Sequence, residues 1–149
     1  MVAYQAAKLA ENERQKLLDN GMSFCMETVL SDRNRHKLDF LKEAQSKGNT
    51  VVLVFIGLAN PELSKARVWQ RVLEGGHDVP DDRLDARFPR TLRNFEAALG
   101  FVDLALVFDD SFADYPYRFI ALFRRGKLAY LAAEPPAWLA EPLGLSHAP

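Results

Sequence analysis

The residues Thr50-Val51-Val52-Leu53-Val54-Phe55-Ile56 are all β-branched or apolar, without the polar alternation of a half-solvated strand. A strand of this kind is expected to be covered on both faces, and such strands belong to parallel sheets flanked by helices. A second unbroken run, Leu104-Ala105-Leu106-Val107-Phe108, reads the same way and leads into Asp109-Asp110-Ser111. Helical patterns lie before, between and after these runs. Strand, helix, strand in alternation is the mark of an α/β domain, and a chain of 149 residues suits a single domain over 1–149.

The remaining elements follow in chain order. Residues 2 to 19 keep helical spacing but are weakly apolar until the last turn, which predicts a surface helix ended by Asn20-Gly21. Ser23-Phe24-Cys25-Met26 reads as a short buried strand, with Cys25 packed inside it and Glu27 at its C-terminal end. Ser31-Asp32 suits the cap of a helix from about Arg33 to Lys47, and Gly48-Asn49 ends it. Asn60-Pro61-Glu62 opens the next helix, with proline in its favoured first turn. Leu84 to Leu99 continues helically with a break expected at Phe88-Pro89. Tyr117 to Phe123 and Leu128 to Leu131 flank Arg124-Arg125-Gly126-Lys127, a hairpin pattern with a four-residue loop.

The net charge of −1 gives no global attraction for nucleic acid, so an anion site has to come from local clustering. One such cluster surrounds Gly75-Gly76-His77-Asp78-Val79-Pro80, a loop that two glycines free and a proline stiffens. Arg67 and Arg71 precede it on one helix face; Arg83, Arg87 and Arg90 follow it. The guanidinium fork suits phosphate oxygens. The competing reading is a solvated charged surface, with Glu74, Asp81, Asp82 and Asp85 as ion-pair partners. His77 reads either as a loop anchor or as a base. In open α/β sheets ligands bind beyond the carboxyl ends of the strands, which adds Glu27 to Ser31, the segment after Ile56, and Asp109 to Ser111. The Asp109-Asp110 pair also suggests a magnesium-dependent hydrolase. No His/Cys cluster has zinc spacing. The single cysteine and the absence of a long apolar run or signal-like N-terminus lead to an expected cytoplasmic location.

Ser23-Phe24 with Glu27-Thr28-Val29-Leu30-Ser31, then Arg67-Val68 and Arg71-Val72 before Gly75 to Pro80, then Arg87, Arg90, Asn94 and Asp103, and finally Phe108-Asp109-Asp110-Ser111, together resemble the zeta-toxin-like kinases, a branch of the P-loop kinases. The resemblance covers residues 2 to 111, so that 1–111 would be the kinase core and 112–149 a C-terminal hairpin and tail. It implies a three-layer, mostly parallel sheet and phosphoryl transfer from ATP, with magnesium, to a hydroxyl of a small molecule. The best-known branch resembles UDP-N-acetylglucosamine kinases, some of them toxins held by a protein antitoxin. The resemblance assigns Glu27, Thr28, Ser31 and His77 to substrate binding. It assigns Arg71, Arg67, Arg87 and Arg90 to the transferred phosphate, and Asp109, Asp110 and Ser111 to the nucleotide.

One departure bears on activity. The family opens with a strand and a glycine-rich loop ending Gly-Lys-Ser or Gly-Lys-Thr, whereas the only Gly-Lys here is Gly126-Lys127 in the hairpin. The family's general-base aspartate is likewise expected upstream of Met1. The chain therefore reads as a kinase truncated at its N-terminus, binding ATP weakly or not at all. The alternative is a non-catalytic remnant that binds a nucleotide, another anion or a protein. The absent first strand would leave a slot between the strands carrying Glu27 and Val51 to Ile56, closed by direct pairing or by self-association.

Overall fold

A computed structural model describes residues 2–145; the end of the expected tail, 146–149, lies outside them. The elements run α1 (Val2–Asp19), α2 (His36–Ser46), β1 (Val52–Gly57), α3 (Pro61–Leu73), α4 (Asp81–Leu99), β2 (Leu104–Asp109), β3 (Arg118–Arg124), β4 (Lys127–Leu131) and α5 (Ala137–Ala140). The strands form one sheet in the order β1-β2-β3-β4. Only β1 and β2 are parallel; β2–β3 and β3–β4 are antiparallel. The α/β class is as expected, but the sheet is mixed rather than mostly parallel, because the hairpin extends it from β2. No helix is long and apolar enough to cross a membrane among the described residues.

Local chemistry accounts for the element ends. The side chain of Asn60 accepts the Leu63 N–H at 2.9 Å, with Pro61 in the first turn of α3. Gly75 takes φ +89° and lets the chain leave that helix. Ser31-Asp32 is not the cap of the next helix: α2 starts at His36 behind a left-handed Arg35, although Asp32 Oδ2 accepts the Lys37 N–H at 3.2 Å. Pro89 does not break α4. It lies inside the helix on an exposed position, and the burial of Leu84, Phe95, Ala98 and Leu99 offsets its lost hydrogen bond. The hairpin turn is tighter than expected. Arg124 pairs with Lys127, and Arg125 and Gly126 both take positive φ, the geometry of a two-residue turn.

Two expectations about strands are overturned. Residues 23–26 form no strand, and Cys25 is exposed rather than packed. These four residues join no ladder, and the partner of β1 is β2. No slot therefore opens between two strands at this place. Secondly, β1 is covered on one face only. Phe55 and Gly57 are buried, whereas Val52, Val54 and Ile56 are 53%, 57% and 50% exposed.

The covered face carries the core. Phe55, Ala105, Val107, Ala121 and Phe123 pack with Leu38 and Ala44 of α2, Phe95, Ala98 and Leu99 of α4, and Trp138 and Leu139 of α5. The Phe55 and Phe95 rings stack at 4.1 Å. α1 joins mainly through its last turn. Leu18 is buried and Gln15 donates to Glu43 at 2.9 Å, while residues 5–13 face solvent as expected. On the opposite face, the register sets Val52, Val54 and Ile56 beside Leu104, Leu106 and Phe108. Leu122 and Phe119 of β3 and Tyr130 of β4 continue these rows. Phe119 lies 5.3 Å from Phe108 and stacks on Tyr130 at 5.2 Å.

Asp103 fastens the start of both parallel strands. Its Oδ2 accepts the Val51 N–H at 2.9 Å and the Gln45 side-chain amide at 3.0 Å. The Val51 bond, followed by that from Gln45, holds its carboxyl below the ordinary aspartate range. A carboxylate with a depressed folded value contributes stability that is complete above its unfolded value and is lost as pH falls through the folded one. Denaturant titrations of the parent and Asp103→Asn should therefore differ in their acid limb. The parent should lose more stability than the variant on acidification below about pH 4. Equal losses would place the acid sensitivity elsewhere.

Candidate functional site

A cleft of about 230 Å³ opens at the C-terminal end of β1, between α3 and α4. Phe55, Ile56, Gly57 and Leu58 form its floor. α3 contributes Ser64, Val68 and Arg71; α4 contributes Leu84, Arg87, Phe88, Thr91 and Leu92; Val29 and Val79 reach in from loops. The wall is mainly apolar, with two guanidiniums and two hydroxyls as its polar groups. Among the described residues, neither Arg71 nor Arg87 has an ion-pair partner. Of the nearby carboxylates, Asp85 is occupied by Lys65 at 2.7 Å. Two unpaired guanidiniums on facing helices, Arg71 exposed and Arg87 half-buried, can hold an anion by charge-assisted hydrogen bonds.

Of the other arginines of the cluster, Arg67 and Arg90 have structural partners, while Arg83 is exposed and outside the cleft lining. Arg67 shares a helix face with Arg71 in sequence, yet it pairs with the Asp110 carboxylate and also donates to the Asp110 carbonyl. Arg90 donates through Nε to the Ser31 carbonyl at 3.2 Å. His77 stands exposed in the Gly75–Pro80 loop, outside the cleft lining. Glu27 and Thr28 are exposed, and of their segment only Val29 lines the cleft.

The strand-end acids are committed too. Asp109 is buried, its carboxylate accepting from Ser111 Oγ at 2.5 Å, Trp138 Nε1 at 3.1 Å and Arg118 Nη2 at 3.5 Å. Gly57 makes room for this arrangement. A Cβ there would overlap the Trp138 ring. Asp110, also buried, accepts the Tyr117 N–H at 3.2 Å in addition to its Arg67 pair. Among the described residues no group of His, Cys, Asp and Glu converges as a metal site.

Three contributors escaped the sequence reading. Ser64 and Thr91 lie seven and four residues from Arg71 and Arg87 on the same helix faces, a spacing that pointed to them. Lys37 is the third. Its ammonium donates to the Val29 carbonyl at 2.8 Å. Burial holds it below the usual lysine range; Asp32 opposes this, and the positive charges of Arg14 and Arg87 add to the lowering. No local pattern could have placed Lys37 near Arg87, since the fold alone brings their helices together.

Asn94 sets the position of the Glu27–Ser31 segment. It is buried on α4, and its amide donates to the carbonyls of Leu30 and Asp32, both at 3.1 Å. Replacing it with alanine strands two carbonyls and should lower stability by about 1–3 kcal/mol in urea titration. Proteolysis between residues 27 and 32 should accelerate in the same variant. Unchanged cleavage there would mean that Asn94 does not hold the segment.

Comparisons with known proteins bear on this arrangement. No curated protein and no solved structure matches the chain. A family model, described as zeta toxin, matches residues 1–115. That span carries α1 to α4, β1, β2 and all of the cleft. On the strength of this match over most of its length, the chain belongs to the zeta toxin family.

Proposed function

We propose that the cleft binds the phosphate-bearing part of an anionic small molecule, as the phosphate clamp of a zeta-toxin-like kinase. The observation that carries this reading is the pair of unpartnered guanidiniums, Arg71 and Arg87, facing one cleft at the carboxyl end of a parallel strand. Each guanidinium offers a planar fork of donors to phosphate oxygens. Ser64 and Thr91 supply hydroxyls for neighbouring oxygens. In the parent chemistry, phosphoryl transfer from ATP to a hydroxyl, such arginines gather charge that develops on the moving group. A nucleotide sugar of the UDP-N-acetylglucosamine kind is the first substrate class to test.

The residues do not fit a directly held magnesium ion. The cleft lining contains no carboxylate, and Asp109 and Asp110 are engaged by Trp138, Ser111, Arg118, Arg67 and Tyr117. The same commitments argue against the hydrolase reading. These 149 residues also contain no Gly-Lys-Ser or Gly-Lys-Thr. Both observations favour a second reading, in which this chain binds an anion at the cleft without turning over ATP.

Calorimetry separates the readings. Arg71→Ala and Arg87→Ala should each weaken binding of a nucleotide sugar about tenfold or more. Arg67→Ala should mainly lower thermal stability, because it removes the partner of buried Asp110. Equal affinity in the Arg71 and Arg87 variants would remove the clamp from the site. ATP with magnesium should bind weakly to the chain; micromolar affinity would favour the catalytic reading over the binding one.

A further inference from the structure

Two glycines end α3, and they do so for different physical reasons. The Gly75 N–H donates to the Val72 carbonyl at 3.0 Å and the Gly76 N–H to the Arg71 carbonyl at 2.8 Å, the paired bonds of a Schellman turn. That turn requires one left-handed residue, and Gly75 fills the place with φ +89° and open space where a side chain would stand. Gly76 is not left-handed, so the turn itself does not demand glycine there. The demand comes from a single neighbour. A Cβ on Gly76 would lie 2.7 Å from Arg71 Cγ and 2.8 Å from the Arg71 carbonyl oxygen, closer than real Cβ atoms approach.

We infer that Gly76 is a positioning residue for the anion site: its bare Cα leaves the space in which the Arg71 stem lies, and so sets the direction of the Arg71 guanidinium. The inference rests on the reading of Arg71 as an anion-binding group. Arg71 is exposed and has no ion-pair partner among the described residues, so no salt bridge at its charged end holds it in the cleft. A long side chain that is free before binding loses rotamer freedom when it takes hold of a ligand. Here the restriction is made at the other end. The Gly76 backbone stands against Cγ, and its N–H holds the Arg71 carbonyl, so the stem is confined before a ligand arrives. Val79 of the same loop lines the cleft beside Arg71, so the segment that confines the stem is also part of the wall. A side chain at position 76 turns Arg71 about its first bonds or pushes the turn outward. Either movement changes where the fork stands relative to Arg87.

Calorimetry and nuclear magnetic resonance on the whole chain test this. Gly76→Ala should weaken binding of UDP-N-acetylglucosamine about tenfold, the effect of a displaced binding group. Added to Arg71→Ala, the same change should shift affinity by no more than about twofold, because the group it acts through is already gone. Gly75→Asn, which keeps the left-handed turn, should bind as the parent does. In spectra of the unliganded parent, the Gly76 Hα protons should show a nuclear Overhauser contact to Arg71 Hγ. Gly76→Ala should move the Arg71 Nε–Hε resonance and leave that of Arg87 in place. Parent-like affinity in Gly76→Ala overturns the inference. So does an equal loss with and without Arg71, which would mean general damage to the turn, or an unmoved Arg71 resonance. If the parent does not bind the nucleotide sugar, or Arg71→Ala binds it unchanged, the anion-site reading fails instead, and the Arg71 resonance alone decides whether Gly76 directs that side chain. Should Gly76→Ala fail to fold, the parent's Overhauser contact decides, and its absence overturns the inference.

Discussion

A carboxyl group buried inside a protein must be met by hydrogen-bond partners, or it costs several kcal/mol. Asp109 imposes that requirement here. It ends β2 on the covered face and is nearly solvent-free. Its donors come from three directions: Ser111 just beyond the strand, Arg118 at the start of β3, and Trp138 on α5. The Trp138 contact obliges the chain's last helix to return beneath the sheet. The indole then needs space at the end of β1, and glycine at position 57 provides it. A single buried carboxyl group thus ties together the ends of β1 and β2, the seat of α5 and the floor of the cleft.

Much of this was legible in the sequence where local chemistry decides. The strand at β1, the Asn60-Pro61 helix start and the glycine exit at Gly75 follow from residues within a few positions of each other. The reading failed where the decision lies far away in sequence. An uninterrupted apolar run cannot say whether its second face is covered, because Val52, Val54 and Ile56 look the same dry or half wet. Residues 23–26 had strand-like composition but no ladder to join. Arg67 and Arg71 were equivalent by helical spacing, yet the partner that separates them, Asp110, lies 43 residues beyond Arg67.

The candidate site was legible in the same uneven way. The loop and its flanking arginines marked the region, and the strand-end rule placed it at the end of β1. Which guanidiniums remain available depended on partners outside any local window: Asp110 for Arg67, the Ser31 carbonyl for Arg90. The acids singled out at the end of β2 fasten the frame, Asp109 through Trp138, Ser111 and Arg118 and Asp110 through Arg67 and Tyr117. Asn94, read only through a family resemblance, is a buried pin between α4 and the 30–32 segment.

The hairpin turn carries a mechanical consequence. Gly126 sits so close to the end of α4 that a Cβ on it would lie 3.3 Å from the Leu99 carbonyl oxygen. The arginine that faces the cleft is on the opposite part of that 19-residue helix. The C-terminal end of α4 thus lies against the hairpin turn, and Arg87 lies toward its other end. Any side chain larger than glycine at position 126 would press on the Leu99 carbonyl, so the hairpin turn and the end of α4 restrict each other's backbone.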